Sequence, residues 1–134
     1  MKKSILITVV TSLLVTFIIF TGSISALAAD FWSGDRQNLA VSGFTDASYY
    51  TKKAKTVDFT LSTPYGDHTI KGNLYLQQKS GNKWTTCKKT SFAFIFHVTK
   101  SFSLKGCKTG YYRVKATFNG TKVVNTTNSF KINR

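Results

Sequence analysis

From Tyr111 to Phe118 the side chains alternate, with Tyr112, Val114, Ala116 and Phe118 on one parity and Tyr111, Arg113, Lys115 and Thr117 on the other. Successive side chains of an extended strand point to opposite faces, so a period of two gives one face to a core and the other to water. A helix would need a period of 3.6, and these residues would scatter around it. The same pattern recurs in Val57, Phe59 and Leu61 between Asp58, Thr60 and Ser62, and in Ile70, Leu74 and Leu76 between Lys71, Asn73, Tyr75 and Gln77. Turn chemistry punctuates these runs: Pro64-Tyr65-Gly66-Asp67, Ser80-Gly81-Asn82 and, strongest as a hairpin signal, Asn119-Gly120.

The remaining segments extend the strand count. Trp84 to Cys87 reads as a short strand, and Phe92 to Val98 is apolar on both parities, which requires a central position or a covered second face. A break is expected at Thr99 to Ser101, before Phe102 and Leu104. Val124, Phe130 and Ile132 share a parity in a last strand, while Leu39 to Val41 and Phe44 to Tyr50 supply a first strand and a second or edge strand. Seven or so short strands with no helical segment beyond the N-terminal leader predict an all-β fold, an antiparallel β-sandwich.

Residues 1–28 read as a secretory signal peptide. Lys2 and Lys3 precede the apolar run Ile5 to Phe20, and Gly22, Ser23 and Ser25 lead into Ala26-Leu27-Ala28. Cleavage after Ala28 would leave residues 29–134 as one secreted, extracellular β-sandwich domain of a bacterium, which meets the membrane only in transit through its leader. The alternative is a retained anchor, since the apolar run approaches the roughly 20 residues that span a bilayer. The leader holds two of the 19 basic residues and none of the five acidic ones, so the domain carries +12, and glutamate is absent. A surplus of that size attracts polyanions, although solubility is also served by it. Cys87 and Cys107 remain in the exported part, where a disulfide between them is expected; closing about 20 residues would contribute about 3 kcal/mol.

The stretch Leu104-Lys105-Gly106-Cys107-Lys108-Thr109-Gly110-Tyr111-Tyr112-Arg113-Val114-Lys115-Ala116 resembles the late-strand region of immunoglobulin-like domains. There a tyrosine two residues after a glycine ties its hydroxyl back to the chain as a tyrosine corner, a role the resemblance gives to Tyr112. Leu74-Tyr75-Leu76-Gln77-Gln78, with Gly81 and Trp84, is similar to the middle strand pair of small immunoglobulin-like domains secreted by Gram-positive bacteria. The resemblance implies an immunoglobulin-like sandwich of about seven strands and carries no activity. Cys107 precedes Tyr112 where antibody domains have the cysteine after it, so the bridge would pin a strand end and not the core.

Catalytic chemistry finds little support. General acid–base work needs paired carboxylates or an oriented histidine, and Asp67-His68 is the only adjacent pair; neighbours in a turn usually point apart. His97 sits on the weaker face of the phenylalanine-rich run. Asp30 and Asp35 are too sparse for calcium, and two histidines without free cysteines do not complete a zinc set. No catalytic residues, metal or cofactor are expected. Lys88 and Lys89 follow Cys87, and Lys105 and Lys108 flank Cys107, so a bridge would gather four ammonium groups into a candidate anion site; Lys52, Lys53 and Lys55 form a second run. The expected function is a secreted, non-enzymatic binding module for an anionic cell-wall or matrix polymer. Nucleic acid ranks last among polyanions because of export, and the alternatives are a cationic antimicrobial or toxin-like protein and a protein-binding adhesin or inhibitor.

Overall fold

The computed structural model describes residues 28–32 and 39–134. The signal peptide expected over residues 1–28 therefore lies outside the described residues, apart from Ala28. Ten strands follow one another with no helix among the described residues: β1 (Asp30–Trp32), β2 (Ser42–Thr45), β3 (Tyr49–Tyr50), β4 (Thr56–Ser62), β5 (Ile70–Ser80), β6 (Lys83–Phe94), β7 (His97–Ser103), β8 (Gly110–Phe118), β9 (Val124–Thr126) and β10 (Phe130–Ile132). They form two sheets, one ordered β1-β2-β4-β7 and the other β3-β10-β8-β5-β6, with β9 added beside β8. The pairings are antiparallel except that of β10 with β3.

One apolar core is filled from both sheets, the layering of a β-sandwich. Val57, Phe59 and Leu61 of β4 enter it from the smaller sheet, and Leu74 and Leu76 of β5 with Tyr112, Val114 and Ala116 of β8 enter it from the larger. Each fully buried Leu, Val or Phe contributes about 1.5–3 kcal/mol relative to exposure. Tyr112 brings a polar tip into this core, and its hydroxyl donates to the Lys108 carbonyl at 2.6 Å. Burial pushes that phenol up to about 12.

Several segments differ from the sequence expectation: ten strands stand where about seven were expected, Leu39 to Val41 is not one of them, and Trp84 to Cys87 is part of the unbroken β6. The apolar run from Phe92 to Val98 is not one core strand: Phe92 and Phe94 end β6 in the core, and the chain then crosses at Ile95 and Phe96 to start β7 in the other sheet. The break falls there and not at Thr99 to Ser101. Ile95 and Phe96 are about half exposed at the sandwich end, which is why the run looked apolar on both parities. At the C-terminal end Val124 faces solvent while Phe130 and Ile132 face the core. The parity shifts at Asn128 and Ser129, two consecutive exposed residues, while buried Thr127 still shares the parity of Val123 and Asn125. Thr127 donates its amide to the Val114 carbonyl at 2.9 Å, and its hydroxyl accepts the Val114 N–H at 3.0 Å.

At the centre of the larger sheet β5 pairs with β8 from Gly72↔Phe118 to Gln78↔Tyr112. A Cβ at Gly72 would collide with the Thr117 carbonyl oxygen and crowd the Phe92 ring. Gly72→Ala should therefore destabilise the fold by about 1–3 kcal/mol through overpacking. Chemical denaturation checks this, and an unchanged midpoint would refute it.

Candidate functional site

The pairing that buries one face of β5 and β8 exposes the other. On that outer face β8 presents Tyr111, Arg113, Lys115 and Thr117, and β5 presents Lys71, Asn73, Tyr75, Gln77 and Lys79, the parity opposite to the buried set. Register aligns these residues in cross-strand rows. Tyr75 has Lys115 on one side and Lys89 of β6 on the other; Gln77 lies between Arg113 and Thr86; Lys131 of β10 lies between Tyr111 and Tyr49 of β3. Directly opposed side chains in such rows sit about 4.5–5.5 Å apart at Cβ, so the rows are contiguous.

Rings and cations meet across the rows. The Arg113 guanidinium lies 4.5 Å from the centre of the Trp84 ring, and the Lys131 ammonium 4.7 Å from that of Tyr111. Tyr75 holds two ammonium groups, Lys115 at 5.1 Å and Lys89 at 5.5 Å. Such contacts contribute about 0.5–1 kcal/mol each at exposed sites. Arg113 also donates from Nε to Gln77 Oε1 at 2.9 Å, and Gln77 donates to Thr86 Oγ1 at 3.3 Å. Gln77 is buried although it lies on the outer face. Desolvation lowers the Arg113 pKa, but a guanidinium stays charged at any physiological pH.

The face carries six cations, Lys71, Lys79, Lys89, Arg113, Lys115 and Lys131. None of the four described aspartates joins them. Asp30 and Asp58 lie on the smaller sheet, Asp46 accepts from the Tyr50 hydroxyl at 2.6 Å beside β2, and Asp67 sits in the β4–β5 turn. On the outer face of the smaller sheet the strands place Asp30, Asp58 and His97 with exposed Trp32 and Phe44 and with Ser and Thr side chains, and with neither Lys nor Arg. Charge is thus segregated between the two outer faces.

Two of the lysines singled out from sequence, adjacent in β6, do not share one surface. Lys88 and Lys89 point to opposite faces of β6, with Lys88 opposite buried Leu76 and Lys89 opposite Tyr75. Lys89 joins the outer face, whereas Lys105 and Lys108 lie exposed in the segment between β7 and β8. Burial and then Cys87 raise the Cys107 pKa, and the cations Lys88 and Arg134 oppose them by lowering it. Arg134 is held there by Thr109, whose hydroxyl accepts the Arg134 amide at 2.7 Å.

Cys87 and Cys107 do meet, with Sγ atoms 2.7 Å apart, but as free cysteines. The expected disulfide is not formed in the structure, since a bond between the sulfurs requires about 2.05 Å. Local geometry accounts for the encounter. Leu76 pairs with Lys88 and Gln77 with Thr86, so Cys87 is the extra residue of a β-bulge, and a bulge re-aims the side chain it carries.

Asp67 and His68 also meet, contrary to the expectation that turn neighbours diverge: Nδ1 lies 2.8 Å from Oδ1. The hydrogen bond from His68 holds the Asp67 carboxyl below its ordinary value. Both side chains are exposed. An open hollow of about 440 Å³ near this end is lined by Thr69, Ala93, Phe94, Ile95, Phe96 and His97. Among the described residues no group of three or more His, Cys, Asp or Glu could hold a metal ion, and no helix is long and apolar enough to cross a membrane.

The outward residues of β5 and β8 could have been found by reading the polar parity for chemistry as the apolar parity is read for core. Trp84, Lys89 and Lys131 could not, because only the register brings them beside Arg113, Tyr75 and Tyr111. No family model, no curated protein and no solved structure matches the chain.

In the reduced protein, burial and then the hydrogen bond with Cys87 push the Cys107 thiol from 9.0 up to about 12. The folded state therefore holds this proton more tightly than the unfolded chain. Its contribution to stability is complete below about pH 9 and is lost as pH rises toward 12. Under reducing conditions the alkaline decline in unfolding free energy should be shallower for Cys107→Ala than for the parent; parallel curves would contradict this.

Proposed function

We propose that the chain is a secreted, non-enzymatic, strongly basic binding module that associates with anionic polymers at a cell surface or extracellular matrix, and that it does so through the outer face of the larger sheet. The observation that carries this reading is the segregation of charge: six cations interleaved with Tyr49, Tyr75, Trp84 and Tyr111 on one sheet face, with the described aspartates elsewhere. Solubility needs charge but not placement. Like charges gathered on one face repel one another, and a polyanion laid across them relieves that repulsion.

The immunoglobulin-like reading of the fold belongs to the same proposal. Two features support it: the parallel pairing of β3 with β10 at one edge of the larger sheet, and the Tyr112 hydroxyl bound to the Lys108 carbonyl. Export would expose Cys87 and Cys107 to oxidation, and closing their 2.7 Å gap would tie the bulge of β6 to the loop before β8. Intact mass reads leader removal and the bridge together. A species starting at Ala29 and lighter by two hydrogens is expected; a full-length mass would replace release with anchoring. A second reading, an adhesin or inhibitor acting through its loops, draws on exposed Tyr65, Ile95 and Phe96 at the β4–β5 and β6–β7 end.

Binding through released counterions makes the logarithm of the association constant fall linearly with the logarithm of salt concentration. Retention on anionic wall polymer should show that dependence. Arg113→Gln and Lys115→Gln should each flatten the slope by about 1, the effect of removing one charge contact. Retention indifferent to salt, or slopes unmoved by both substitutions, would remove the function proposed here.

A further inference from the structure

We infer that the polymer held on this face is an extended acidic polysaccharide, gripped as a lattice of charges, and that Tyr75 and Trp84 act as positioning residues for the cations above them and not as stacking platforms. The inference rests on the polyanion reading of the same face and narrows it to one ligand class.

The first constraint is shape. The cations stand on the flat outer surface of an open sheet, so a single small anion can meet only one or two of them. An exposed ion pair contributes about 0–1 kcal/mol, too little to hold a free sugar acid. A repeating polymer engages several cations together, each contact after the first being intramolecular, so affinity rises steeply with length. Residues two apart along β8, such as Arg113 and Lys115, are about 6.8 Å apart, and neighbouring strands offer further cations at similar reach. The lattice suits a chain with charges repeated on that scale.

The second constraint is the state of the rings. Single-stranded nucleic acid gains its affinity on such faces by stacking bases on open aromatic rings. Here the Trp84 ring is occupied by Arg113 at 4.5 Å, and Tyr75 lies under both Lys115 and Lys89. A base could stack there only by displacing the cations that attract its phosphates. A saccharide acid makes no such demand: its charges meet cations already held over the rings, and its hydroxyls face the row formed by Thr117, Asn73 and Ser91. Prior placement by the rings reduces the side-chain entropy lost on binding.

The test uses the secreted protein and four probes: galacturonate, oligogalacturonates of increasing length, oligothymidylate and inorganic polyphosphate, the polymers matched in number of charges. Expected are no measurable binding of the monomer, affinity growing with oligogalacturonate length, and at least tenfold weaker binding of the other two polymers. Trp84→Leu and Tyr75→Leu should weaken oligogalacturonate binding about two- to fivefold while leaving the salt slope unchanged, because no charge is removed. Thermal unfolding of both variants checks that the sheet is intact. Equal or tighter binding of oligothymidylate would assign the face to nucleic acid. Equal binding of polyphosphate would leave a charge-only surface, and both results would overturn the ligand class while sparing the polyanion reading. Retention of none of the polymers would sink both. A changed salt slope, or no loss of affinity, in folded Trp84→Leu and Tyr75→Leu would remove the positioning role.

Discussion

The structure depends on the ladder between β5 and β8, in which Gly72 to Gln78 lie against Phe118 to Tyr112. This pairing fixes two faces at once. With a side-chain period of two, a shift of one residue would turn one strand over, exposing either Leu74 and Leu76 or Val114 and Ala116 and carrying Tyr75 or Arg113 and Lys115 into the core. Burying those charges without partners costs far more than any surface contact returns, so the apolar face enforces the register of the cationic one. Gly72 allows the ladder to close, since a side chain there would meet the backbone of β8.

That enforced register explains how a strongly positive surface is tolerated. Each cation of the central rows lies against a ring or an amide: Arg113 on Trp84 and Gln77, Lys89 and Lys115 on Tyr75, Lys131 on Tyr111. The π faces supply partial negative charge where no carboxylate is present. A carboxylate would neutralise the same cations more completely, but would also compete with an incoming anion. On the reading proposed above, the rings hold the charges in place and leave them open to an anion. The two sulfurs belong to a different region, where a bulge and a loop meet beneath Lys88 and Arg134.

Much of the fold was legible in the chain. The strands built on Val57, Leu74 and Tyr112, and the turns at Gly81 and Gly120, follow from alternation and from residues that accept a positive φ. The crossing at Ile95 and Phe96 was not legible, because a strand leaving one sheet for the other looks, by composition, like a strand buried on both sides. The shift at Asn128 and Ser129 was hidden because the buried residues before it include polar Asn125 and Thr127, which an apolar count does not assign to the core. The candidate site was half visible. The outward parity of β5 and β8 could be read directly, while the lysine cluster drawn around the cysteines overlooked that Lys88 and Lys89, adjacent in a strand, face opposite ways.

By itself the sequence determined that this protein builds strands, that each has a greasy and a polar side, and that the charge left outside is overwhelmingly positive, because these are properties of residue type and spacing along a single strand. Which strands lie side by side was decided only by tertiary structure. Contact between Trp84 and Arg113, or between Tyr75 and its two lysines, depends on pairing between segments distant in the chain. That pairing is selected by how the whole core packs, so no local pattern encodes it.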